Sequence, residues 1–119
     1  MSGPLPNDVE ASLVGVLEPD ETVLRALTTL AGTLVLTDRR VVIVREGRAY
    51  RPATGVRSWG LSPANTVDYG RPRGGLGRLI VGSGGKVTSF FFKERDSDAA
   101  MEIVSMAHQM TYLAATKGW

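Results

Sequence analysis

Arg71, Arg73 and Arg78 are interleaved with Gly70, Pro72, Gly74, Gly75 and Gly77 in one short stretch. Glycine lets main-chain amides converge on an anion, and arginine grips phosphate or carboxylate through two parallel hydrogen bonds. The chemistry on offer is therefore anion capture, although the same residues also suit a solvated hairpin loop. The stretch lacks the Gly-Lys-Ser/Thr ending of a P-loop. Ile80 occupies the place of the third glycine in a dinucleotide fingerprint opened at Gly75. Gly70-Arg71-Pro72-Arg73 is half of an AT-hook core, with Tyr69 where a basic residue would precede it. No platform of stacking rings accompanies it, so nucleic acid is the least favoured ligand.

Arg45, Arg48, Arg51 and Arg57 form a second basic group in or near an expected hairpin. A two-residue turn at Glu46-Gly47 would set Arg45 opposite Arg48, and like charges there require solvent or an acidic partner. These four, with Arg71, Arg73 and Arg78, are the candidate residues for an anion, a lipid or a protein partner. Residues 39–93 hold eleven basic groups against Glu46 and Asp68, a net +9, whereas residues 1–38 hold six acidic groups against Arg25, a net −5. The overall charge of +2 hides this division. A basic face can attract phosphates, anionic lipid or acidic protein. The acidic segment of a neighbouring copy is one such partner.

The enzymatic alternatives are poor. The chain has no cysteine and one histidine, His108, which falls on an expected helix beside Ser105 and Gln109. Asp96 and Asp98 suit helix capping better than acid–base work. No catalytic residue, metal, cofactor or small-molecule substrate is expected.

The elements that must position the arginines are short. At 119 residues with 43% hydrophobic content, the chain is expected to form one domain over 7–119 behind a flexible arm at 1–6. Val9, Leu13, Val16 and Leu17 have helical spacing, which Glu18-Pro19-Asp20 ends. β-type runs follow at 22–29, 33–37, 41–44 and 48–51, with 55–62 less clear, and then at 66–69, 79–81 and 87–92. Val41-Val42-Ile43-Val44 reads as a strand buried on both faces. Gly70–Gly77 reads as a loop, and Gly84-Gly85 as the turn of a hairpin. Phe90-Phe91-Phe92 sets two rings on one face and one on the other. From 97 to 116 the period becomes helical, with Ala100, Ile103, Val104, Ala107, Met110, Thr111 and Ala114 facing inward. Trp59 belongs to the core or a barrel rim. No apolar run approaches the ~20 residues of a membrane span, and the first residues lack the pattern of a signal peptide. A cytoplasmic protein, with peripheral attachment to a membrane as an option, is the expectation.

About seven strands and one closing helix form a strongly bent antiparallel sheet or partly open barrel, mainly β within the α+β class. Gly32-Thr33-Leu34-Val35-Leu36-Thr37-Asp38-Arg39-Arg40-Val41-Val42-Ile43-Val44 resembles the strand-turn-strand signature of bacterial PH-like and GRAM-like domains of the pleckstrin-homology superfold. Leu17-Glu18-Pro19-Asp20-Glu21 resembles the acidic turn before their first strand. Thr37, Asp38, Arg39 and Arg40 form a structural turn, its side chains bonding turn amides while an arginine reaches back to Asp38 or to carbonyls. The resemblance implies a non-enzymatic module for protein interaction or assembly, with a homo-oligomer or an anionic membrane as further options. The first hairpin loop of lipid-binding relatives is basic. Here that loop, Thr28–Gly32, carries no charge.

Overall fold

The computed structural model describes residues 17–45 and 56–116. The expected helix before Glu18, and the stretch containing Glu46-Gly47, Arg48 and Arg51, lie outside them. Seven strands run antiparallel in two sheets: β1 (Val23–Thr29), β2 (Gly32–Thr37), β3 (Arg40–Val44) and β4 (Val56–Gly60) in one, then β5 (Asn65–Arg73), β6 (Leu76–Ser83) and β7 (Lys86–Lys93) in the other. A 3₁₀ turn at Glu94–Asp96 leads into helix α1 (Ser97–Thr116). This is the expected bent sheet with its closing helix, and α1 has the expected bounds.

Alternation along the strands builds the core. Leu34 and Leu36 of β2, Val41 and Ile43 of β3, and Trp59 of β4 face Val67, Leu79, Val81, Phe90 and Phe92 of the second sheet. Ala100, Ile103, Val104 and Ala107 repeat at three- and one-residue steps, so α1 lays one stripe over that core. The opposite residues of the first sheet, Val35, Val42 and Val44, are buried in a second apolar cluster with Leu17, Val23, Ala26 and Val56. The β-branched run at 41–44 is therefore buried on both faces, as its composition requires.

Val44 pairs with Val56, so the described partner of β3 on this side is Val56–Gly60, the stretch whose sequence is less clear, while the expected strand at 48–51 lies outside the described residues. One expectation is corrected: Gly70–Gly77 is not a loop. β5 continues to Arg73, β6 begins at Leu76, and Gly74-Gly75 alone turns the chain, with φ of +59° and +80°. Paired positive φ values give the twist that a two-residue hairpin needs. Gly70 and Gly77 serve packing. A Cβ at Gly77 would lie 2.2 Å from the Phe92 ring, and one at Gly70 would lie 2.7 Å from Cδ1 of Ile80. Missing side chains were the signal read as a loop, and in the strands they make room for neighbours across the ladder.

Candidate functional site

The β2–β3 turn fixes one group of cations. Oγ1 of Thr37 accepts from the amides of Arg39 at 3.1 Å and Arg40 at 3.0 Å, and donates to Oε2 of Glu21 at 2.5 Å. Oδ1 of Asp38 accepts from the Thr22 amide at 3.0 Å, tying the turn to the entry of β1. The Arg40 guanidinium donates from Nε to Oε2 of Glu21 at 2.9 Å and from Nη2 to Oε1 at 2.8 Å. The Glu21 side chain is fully covered and that of Arg40 is 21% exposed. The Arg40 bonds hold the Glu21 carboxyl down at about 2, against burial, with help from Thr37 and the Glu18 amide. Arg39 pairs with Asp20 at 2.5 Å in the open. These bonds fasten the β2–β3 turn to the approach to β1. The arginines of the turn reach Asp20 and Glu21 across the strand pair, however, and not Asp38 beside them.

A different group stands where the two sheets diverge. Arg57 lies opposite Ile43, which places it on the inward side of β4, two residues from the buried Trp59. Its guanidinium sits 5.1 Å from the Trp59 ring centroid, within cation–π range. Trp59 meets Phe90 edge-on at 5.8 Å, so the ring is braced by the core. The β6–β7 turn brings Ser83, Lys86, Val87 and Thr88 to the same place. With Arg57 and Trp59 they line an open cavity of about 580 Å³. Val87 is 64% exposed. Among the described residues no carboxylate lies within ion-pair distance of Arg57 or Lys86. The arrangement offers two cations and two hydroxyls around one aromatic face, which suits an anion.

The other sequence candidates among the described residues do not join this cavity. Arg71 and Arg73 are exposed at the far end of the β5–β6 hairpin. Seven residues of β6 separate that end from Ser83, about 23 Å along an extended strand. Arg78 lies on the outer face, its Nε donating to Oγ of Ser89 at 2.9 Å and its guanidinium 5.9 Å from the Phe91 ring centroid. Arg45 is half-buried just past β3, and Arg48 and Arg51 fall outside the described residues. Lys86, Ser83 and Thr88 were missed by sequence reasoning. Lys86 follows the Gly84-Gly85 turn directly, and a cation at a hairpin tip was the available signal.

His108 clips α1 to the edge of β5. Its Nε2 donates to the Val67 carbonyl at 2.6 Å, with Oδ1 of Asp68 at 3.3 Å. Among the described residues no three His, Asp or Glu side chains cluster as metal ligands, and no helix is long and apolar enough to cross a membrane.

The fold is similar to the crystal structure of a pleckstrin homology domain from Shewanella amazonensis SB2B. The TM-score is 0.59 at 16% sequence identity, over 90% of this chain and 91% of that one. No family model matches the sequence, and no curated protein matches it.

Proposed function

From its pleckstrin-homology-like fold we propose that the chain is a non-enzymatic binding module attaching peripherally to anionic phospholipid surfaces through the cavity between β4 and the β6–β7 turn. One observation carries the reading: Arg57 and Lys86 line the cavity beside Trp59, and among the described residues neither has a carboxylate partner. A cation that meets no carboxylate among the described residues keeps its interaction for an external anion. Ser83 and Thr88 can donate to phosphate oxygens, and the exposed Val87 offers an apolar tip to the acyl boundary. Each basic residue near an anionic surface is worth about 1 kcal/mol, so the pair supplies a roughly thirtyfold preference and no more. Attachment is accordingly weak and salt-sensitive.

Self-assembly would draw the acidic N-terminal segment of one copy to the basic middle of another. Asp20 and Glu21 pair within the chain to Arg39 and Arg40, which removes two of its acids. The test is vesicle co-sedimentation. Vesicles with a third phosphatidylserine should retain the wild-type protein, pure phosphatidylcholine should not, and Arg57→Ala with Lys86→Ala should weaken retention tenfold or more. Equal retention on both vesicles, or an unchanged double variant, overturns the proposal.

A further inference from the structure

We infer that the outer face of the β5–β6–β7 sheet is a docking surface for an acidic amphipathic helix of a protein partner. Directly opposed residues share a face, and alternation along the strands orders this one into four rows. They are Arg73, Leu76 and Lys93; Gly70, Arg78 and Phe91; Asp68, Ile80 and Ser89; and Thr66, Gly82 and Val87.

The rows mix apolar and cationic groups in a set order. Leu76, Ile80, Phe91 and Val87 contribute an apolar band that is half-buried to exposed, although it faces away from the core. Leu30, 67% exposed at the β1–β2 turn, extends it, because its amide donates to the Phe91 carbonyl at 2.9 Å. The glycines keep the face level. A Cβ at Gly82 would lie 2.6 Å from Oγ1 of Thr66, and at Gly70 one would displace Ile80. Arg73, Arg78 and Lys93 gather at the end near Gly74-Gly75, against Asp68 alone among the acids of the four rows. The equivalent outer face of the first sheet is already covered, its Val35 and Val42 having no exposure.

Charge and size select the occupant. Three cations at one end of an apolar band are complementary to a surface with carboxylates at one end of an apolar stripe. Pairing with a second copy through the same face would set like charges together when the two copies align in parallel. Eight residues of β6 span about 26 Å, and three strands about 10 Å between outer axes. A single helix of about 17 residues has those dimensions. This face shares only Val87 with the cavity at Arg57 and Lys86, and its three cations lie at the opposite end of the sheet.

The test uses a dye-labelled 18-residue peptide with leucines at i, i+3, i+4 and i+7 and glutamates elsewhere, together with its lysine counterpart. Fluorescence anisotropy with the full chain should show saturable binding of the glutamate peptide only, weakened tenfold or more by Arg78→Glu with Lys93→Glu. If that pair shifts the unfolding midpoint, Arg73→Glu with Lys93→Glu replaces it, since both side chains are exposed. No binding of the glutamate peptide at millimolar concentration, equal binding of both peptides, or an unchanged variant overturns the proposal. Self-association lost in the charge-reversed variant would assign the face to a second copy. Vesicle retention lost in that variant, with the glutamate peptide ignored, would assign it to the membrane. Either result also overturns the proposal. Failure of the Arg57 and Lys86 experiment leaves it intact.

Discussion

Two pairs of cations in this chain differ in what faces them. Arg39 and Arg40 follow a turn and meet Asp20 and Glu21 from the approach to β1. Arg57 and Lys86 meet a tryptophan ring, hydroxyls and solvent. Formal charge is the same in both places, but its use differs. In the first, a covered carboxylate depends on Arg40 and would be stranded without it. In the second, removal of a cation strands no opposite charge among the described residues. The difference teaches that a basic stretch keeps charge for a partner only where the fold does not neutralise it.

The sharpest way to break the comparison is Arg40→Ala. It leaves the fully covered Glu21 without its bidentate partner, and breaking a buried pair costs about 3–5 kcal/mol. The 21% exposure of Arg40 puts the expected loss at the lower end. Urea unfolding at pH 7 measures it. A loss below about 1 kcal/mol would make this pair no more structural than the one at the cavity.

Acid tests the same pair from the other partner. The folded Glu21 titrates at about 2, well below the ordinary value of 4.5. The stabilisation is therefore complete above that ordinary value and is lost as pH falls from 4.5 toward 2. The drop corresponds to about 3 kcal/mol at most. The urea midpoint should fall more between pH 6 and pH 2.5 in the wild type than in Glu21→Gln, which lacks the titrating group. Equal falls would show that Glu21 does not couple acid to unfolding.

Legibility followed the range of the interactions. The β-branched run at 41–44 and the helical stripe from Ala100 to Ala107 were readable because burial imposes a local period. The turn was readable too, since Thr37 bonds the amides of its own neighbours. Its ion pairs were not, because Glu21 and Arg40 meet only after β1 and β2 pair. The strand ends within Gly70–Gly77 are hidden from the sequence for the same reason. Gly77 is in a strand because Phe92, fifteen residues later, fills the space beside it. Of the five arginines proposed for binding that lie among the described residues, only Arg57 lines the cavity. Its companion Lys86 arrives from the second sheet, and no spacing in the sequence links the two.

The smallest effect belongs to Arg57→Ala, and it closes the comparison. Arg57 is exposed, its contact with Trp59 is a cation–π approach at 5.1 Å, and the ring is held by Phe90 from elsewhere. An exposed contact of this kind is worth about 0.5–1 kcal/mol. No carboxylate is left behind to add a desolvation penalty. Urea unfolding of Arg57→Ala should therefore stay within about 1 kcal/mol of wild type while the variant loses affinity for anionic vesicles. A loss of 2 kcal/mol or more would make Arg57 a structural cation like Arg40. Weakened vesicle binding would then report a damaged barrel mouth instead of a missing charge.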